Sequence, residues 1–196
     1  MTATIICFEP AKEKSLLLAY QQAKYQVFYQ EYGWHALAVD QAQGIALLDD
    51  YDGFSRFFAA VIDDKVVGFL RGTDTAIAFP HASLFQRQQS LLNGCRSVSL
   101  NALCVRKPYR GQQYAIGPKP QKLGSALLHY ASNYYRAEQF DWLLSSTNPD
   151  LVNKVFLPAG FIVLEQGISL SGSPTQISNL CLPLSVKAKQ AIATRG

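Results

Sequence analysis

Residues 96–146 read as a strand, a long loop, an amphipathic helix and a second strand, an order that few architectures accommodate. Residues 96–105 are rich in small and β-branched side chains, and 142–146 form a short second strand. Between them, residues 122–138 put Leu123, Ala126, Leu127, Tyr130, Ala131 and Tyr134 on one face at the helical period. A strand–helix–strand crossover of this kind belongs at the centre of an α/β sheet. The flanking segments complete it. Residues 12–32 carry Leu16, Tyr20, Ala23 and Val27 at helical spacing, with Gly33 as the stop, and 35–50 read as a loop. Strands are expected at 56–62 and 66–73, joined through Asp63-Asp64-Lys65. Short helices follow at 83–93 and 149–157, and a closing hairpin at 161–170 and 176–184. The predicted class is α/β with a mixed sheet. No repeat, low-complexity tract or linker interrupts the chain, so residues 1–196 are read as one domain.

Hydrophobic residues make up 48% of the chain, enough for a core, and no stretch approaches the roughly 18 apolar residues of a membrane span. The N-terminus lacks a basic region followed by an apolar run, the mark of a signal peptide. Cys7, Cys95, Cys104 and Cys181 are scattered, as are His35, His81 and His129, so no metal site is expected and reduced thiols of a cytoplasmic protein fit better. A net charge of +4 is too mild to imply nucleic-acid binding, but it suits a phosphorylated, acidic partner.

The strand at 96–105 runs into Val105-Arg106-Lys107-Pro108-Tyr109-Arg110-Gly111-Gln112, and the strong helix opens with Lys122-Leu123-Gly124-Ser125. Free backbone N–H groups and the positive end of the helix dipole make such a loop a cradle for phosphate. Gly111 and Gly124 permit close approach of a ligand. Arg106, Lys107, Arg110, Lys119 and Lys122 gather five positive charges there, either a solvated patch or a dock for phosphates or an acidic carrier protein.

Val105-x-x-x-Tyr109-Arg110-Gly111-Gln112, with Leu123-Gly124-Ser125-Ala126-Leu127-Leu128 downstream, resembles the acyl-donor motif of the GNAT superfamily of N-acetyltransferases. Ser146-Thr147-Asn148-Pro149 and Gly160-Phe161 resemble its usual ending, so the likeness covers roughly residues 97–165. It implies the GNAT fold, a mixed α/β sheet splayed at its centre, with acyl-CoA or an acyl carrier protein as co-substrate. Leu103, Cys104 and Val105 would line the thioester, and Arg110, Gly111, Gln112, Lys122, Leu123, Gly124 and Ser125 would hold the phosphates, with Asn148 closing the donor site. The residues from Gln113 to Gln121 are an insertion within this loop.

Val27-Phe28, Gly33-Trp34, Asp49-Asp50-Tyr51-Asp52 and Val67-Gly68-Phe69-Leu70-Arg71 are similar to the signature of acyl-homoserine-lactone synthases and long-chain N-acyl amino acid synthases. Through that resemblance Phe28 and Trp34 shape the donor site. Asp49, Asp52 and Arg71 form a charged cluster that orders the N-terminal segment and the acceptor, and Asp49 or Asp52 accepts a proton through water. Core packing for the aromatics and a purely structural ion-pair network for the charges are the alternatives. The chain departs from the pattern at Lys24, where Arg is usual, at Ser99 and Ala102, where Glu and Arg are usual, and at Phe156, where many acetyltransferases carry a general-acid Tyr. Cys104 has no base spaced to activate it and reads as a small buried hydrophobe.

The expected function is N-acyl transfer from a thioester to the amine of a small molecule, with no nucleic-acid or membrane partner. An ordinary acetyl-CoA N-acetyltransferase and an idle acyl-thioester binder are the rivals. The amine, the acyl length and the oligomeric state are not legible in the sequence.

Overall fold

A computed structural model describes residues 1–169 and 176–193; the end of the predicted 161–170 strand at Leu170 lies outside the described residues. β1 (Thr4–Phe8) precedes α1 (Lys14–Lys24), which continues as a π-helical turn over Tyr25–Glu31. The expected 35–50 loop holds a minimal ribbon, β2 (Val39–Asp40) with β3 (Ile45–Ala46). β4 (Arg56–Ile62) and β5 (Lys65–Asp74) follow, then a 3₁₀ turn at Ala82–Gln88 running into α2 (Gln89–Leu92). β6 (Ser97–Val105) leads to a small hairpin, β7 (Tyr114–Ile116) and β8 (Lys119–Gln121), and then to α3 (Leu123–Ala137). β9 (Trp142–Thr147), α4 (Pro149–Leu151), β10 (Ile162–Ile168), β11 (Ile177–Pro183) and α5 (Val186–Ala193) complete the chain. Seven strands pair in the order β1-β4-β5-β6-β9-β11-β10. No helix among the described residues is long and apolar enough to cross a membrane.

The chain packs as two compact units, Met1–Arg71 with Ala102–Leu128, and Gly72–Asn101 with His129–Gly196; β5, β6 and α3 contribute to both. In the first unit β1 lies antiparallel to β4, from Thr4↔Val61 to Phe8↔Phe57. β4 turns into β5 through Asp63 and Asp64, both at positive φ, the two-residue turn whose twist suits a hairpin. Phe8, Tyr20, Ala23, Val27, Phe28, Phe57, Ala59, Phe69 and Cys104 form the core, with Leu16 packed against it. The tyrosine ring of Tyr20 meets Phe57 at 4.7 Å and Phe69 at 5.5 Å, edge to face. The spacing of Leu16, Tyr20, Ala23 and Val27 therefore does set the buried face, even where the helix widens.

The insertion folds as β7–β8, turned at Gly117 (φ +66°). It is fastened to the N-terminus: the Ala3 N–H donates to the Ala115 carbonyl (3.1 Å) and the Ala115 N–H to that of Met1 (3.1 Å). Tyr114, the first residue of β7, is buried.

In the second unit β6 runs parallel to β9 from Ser97↔Trp142 to Leu100↔Ser145, and β11 lies antiparallel to β9 and β10. Phe85, Leu91, Trp142, Leu144, Cys181 and Ala188 form its core. α5 begins at Ser185, whose Oγ accepts from the Ala188 N–H (3.1 Å) and donates to Asp141 (2.6 Å). On α3 the buried face differs slightly from expectation. Tyr130 is 42% exposed and Tyr135 is buried instead, because positions four apart from Leu127 and Ala131 point inward and the ring at 130 falls beside that row.

Candidate active site

Three residues of the N-terminal signature converge in the first unit. Arg71, on β5 and buried, donates through one terminal nitrogen to both Asp49 oxygens (2.6 and 2.7 Å) and to Asp52 Oδ1 (2.5 Å). Asp52 is fully buried and also accepts from the Tyr20 hydroxyl (3.2 Å) and the Asp49 backbone N–H (2.9 Å). Asp49 Oδ1 accepts from the N–H groups of Tyr51 (3.0 Å) and Asp52 (3.1 Å), an Asx turn that fixes the 49–52 loop. Lys24 is buried too, with Nζ 3.3 Å from Asp49 and 3.8 Å from Asp52.

Two carboxylates thus face two cations, and each buried charge has partners. Asp49 keeps 37% of its side chain exposed. Its partial burial favours the neutral acid, but the Arg71 guanidinium and Lys24 overcome that and hold the carboxyl below the ordinary range. Burial pushes the Tyr20 phenol well above its usual value, so it stays a donor to Asp52. Tyr20 and Lys24 are the members that the sequence reading leaves out of the cluster. Their i, i+4 spacing on α1 was the available signal, continued at Phe28.

Phe28 and Trp34 form a stack of their own, centroids 4.9 Å apart, with Phe28 buried and Trp34 41% exposed. The π turn and Gly33 (φ +68°) bring the chain back so that the Trp34 N–H donates to the Phe28 carbonyl (2.9 Å). π turns inside helices are frequent at functional sites.

β6 ends in the same unit. Ala102 takes a left-handed φ of +53° inside the strand, which kinks it before Leu103, Cys104 and Val105. Gly68 on β5 approaches closely: a Cβ there would lie 2.9 Å from the Cys104 carbonyl oxygen. Cys104 is buried and its thiol is pushed up to about 12 by desolvation, which makes it inert as a nucleophile.

Beyond Val105 the chain is basic. Arg106 donates its backbone N–H to Val67 (2.8 Å), while its Nε is buried without a partner. Arg110 donates Nε–H to the Val105 carbonyl (2.6 Å), lies over the Tyr32 ring (5.6 Å), and forms a two-point ion pair with Glu31. Gly111 adopts φ +77°, and Gln112 bonds Pro108 and Tyr114. Lys122 is exposed and its carbonyl accepts the first bond of α3, from Ala126 (2.9 Å). Leu123 is buried, with Gly124 and Ser125 half-buried in the opening turn. The hairpin therefore departs from the loop and returns to it, leaving that turn intact. Asn148 belongs to the second unit, where its Oδ1 caps α4 by accepting from the Leu151 N–H (2.9 Å). Phe156 is buried against Phe161 (5.0 Å). No group of three or more metal-ligating side chains occurs among the described residues.

No family model and no curated protein sequence matches the chain. Solved structures do. A CoA-dependent acyl-homoserine lactone synthase, BjaI, determined with SAM and isopentyl-CoA, superposes with a TM-score of 0.69 at 14% identity, over 98% of this chain and 89% of that one. FeeM, an N-acyl amino acid synthase from uncultured soil microbes, gives 0.66 at 12% identity, over 99% and 98%. A putative N-acetyltransferase from Lactobacillus plantarum gives 0.60 at 17% identity, over 94% and 100%. The chain has the acyltransferase fold of the GNAT type that these proteins share.

Proposed function

We propose that this protein is an N-acyltransferase that moves an acyl group from a thioester, acyl-CoA or an acyl carrier protein, to the amine of a small molecule such as an amino acid derivative. The observation that carries the reading is the end of β6. A kinked strand is followed by a basic loop whose Arg106 holds a buried, unpartnered N–H, and α3 then opens with Gly124 and Ser125. A buried donor of this kind is costly to leave unmade, and a phosphate oxygen would satisfy it. Gly111, Gln112, Arg110 and Lys122 surround the same loop in sequence.

In this reading, backbone N–H groups near Leu103–Val105 polarise the thioester carbonyl, a contribution that needs no special side chain. The amine then attacks the carbonyl carbon directly, the C–S bond breaks and the thiol leaves; positioning alone supplies several kcal/mol of the barrier. Cys104 takes no part, consistent with its burial and raised thiol pKa. Asp52 is committed to Arg71, Lys24 and Tyr20, so its role is to order the 49–52 loop. Asp49 presents the accessible carboxylate. Held below the ordinary range it is a weak base, so the amine arrives already neutral or passes its proton to Asp49 through water. Phe28 and Trp34 form an aromatic stack in the same unit. Such chemistry suits a cytoplasmic enzyme.

The test is turnover of acetyl, octanoyl and longer thioesters of CoA and carrier protein with a panel of amines, followed by release of free thiol. Amine-dependent release is the expected result. Thioester binding without release for any amine would instead support an idle binder, a reading favoured by Phe156 standing buried where a general-acid tyrosine is usual.

A further inference from the structure

Arg110, the arginine of the donor loop, is not free. Glu31, from the π turn that follows α1, meets its guanidinium through both carboxylate oxygens, and both side chains are more than two-thirds buried. Desolvation disfavours the charged guanidinium, yet Glu31 and the neighbouring Tyr32 more than compensate. A carboxylate that grips a guanidinium in two-point fashion offers the same oxygen geometry as a phosphate. We propose that Glu31 is an internal stand-in for the donor phosphate: it holds Arg110 before the donor binds and is displaced when the pyrophosphate arrives.

The consequence extends along the chain from Glu31. Glu31 is the last residue of the Tyr25–Glu31 turn, which carries Phe28 and is followed by Tyr32, Gly33 and Trp34. Arg110 also lies over Tyr32. Releasing the ion pair therefore frees one end of the segment that builds the Phe28–Trp34 stack, so phosphate binding at Arg110 is coupled to that aromatic pair. Glu31 acts here as a positioning residue, not as a catalytic one.

This inference rests on the donor-loop reading above, and the experiment separates the two. Affinities for CoA and for pantetheine, which lacks the pyrophosphate, are measured by calorimetry for the wild type, Glu31→Gln, Arg110→Ala and the double variant. Removing the competitor should tighten CoA about five- to tenfold, or ~1–1.4 kcal/mol, and leave pantetheine unchanged. In the Arg110→Ala background, Glu31→Gln should have no effect on CoA. Unchanged or weaker CoA binding by Glu31→Gln overturns the proposal, as does an equal change for both ligands. Binding of neither CoA nor a phosphopantetheinylated carrier protein by the wild type overturns the donor-loop reading with it.

Discussion

Asp49 and Asp52 differ by only three positions, yet their surroundings separate them. Asp52 is fully buried between Arg71, Lys24 and Tyr20, so Asp52→Asn leaves two buried cations with too little negative charge. The expected cost is about 3–5 kcal/mol in denaturant unfolding. Asp49→Asn, at a carboxylate with 37% of its side chain exposed, should cost closer to 1–2 kcal/mol and act mainly on turnover. Combining Asp52→Asn with Arg71→Gln should cost clearly less than the sum, because each removes a partner the other already lacks. Additive losses would show independent surface charges. Acid should expose the same difference. The Asp49 carboxyl lies below the ordinary range in the folded chain and within it once unfolded, so the unfolded state binds the proton more readily. Its contribution is fully present above about pH 4 and fades as pH falls through the lower folded value. The denaturation midpoint should thus drop more steeply as pH falls below about 4 in the wild type than in Asp49→Asn. Cys104 and Cys181, both pushed up to about 12 by burial, should resist alkylation of the native protein at neutral pH, with Cys104→Ala retaining turnover.

β6 carries the most informative departure from regular structure. Ala102 sits at φ +53°, a conformation costing an L-residue roughly 1–2 kcal/mol, whereas glycine enters it freely but loses more entropy on folding. Ala102→Gly should therefore be neutral or stabilising by up to ~1 kcal/mol, and Ala102→Val strongly destabilising. Gly68→Ala, whose Cβ would press on the Cys104 carbonyl at 2.9 Å, should cost about 1–3 kcal/mol and disturb donor binding with it. None of this was legible in the sequence, where Ala102 stands out only as a replaced arginine. What was legible had strong periodicity or strong turn chemistry. The crossover through α3, the Asp63-Asp64 turn and the stop at Gly33 all stand where expected. β1 escaped because its burial does not alternate: Ile5 and Phe8 are inside and Ile6 is exposed, so no period-two signal forms over five residues. α5 escaped although Ser185 offered a cap, since eight residues give little helical periodicity. The β7–β8 hairpin takes its order from the Met1 and Ala3 backbone more than one hundred residues away, a partnership that no local pattern encodes.

The same fold is found in a synthase solved with isopentyl-CoA, in an N-acyl amino acid synthase and in a protein named for acetyl transfer, so fold alone does not assign a donor. A long-chain reading rests on the N-terminal half, whose Asp49–Asp52–Arg71 cluster and Phe28–Trp34 stack are built from the residues whose order resembles acyl-homoserine-lactone and long-chain N-acyl amino acid synthases. Binding energetics turn that difference into a measurement. Each methylene buried beyond the thioester contributes ~0.8 kcal/mol, close to a fourfold gain per CH₂ in transition-state affinity while apolar room remains. A long-chain enzyme should show kcat/KM climbing from acetyl through butanoyl to at least octanoyl and then levelling where the room ends. The carrier should leave its own mark. Arg106, Lys107, Arg110, Lys119 and Lys122 lie in sequence around the proposed donor loop, and screening acts over about 8–10 Å at 0.1–0.15 M salt. KM for a CoA donor should consequently rise with salt, and KM for an acidic carrier protein should rise more steeply because more of its charge meets the patch. A monotonic fall in kcat/KM from acetyl to longer donors, with equal salt response for both carriers, would return the chain to acetyl-CoA chemistry.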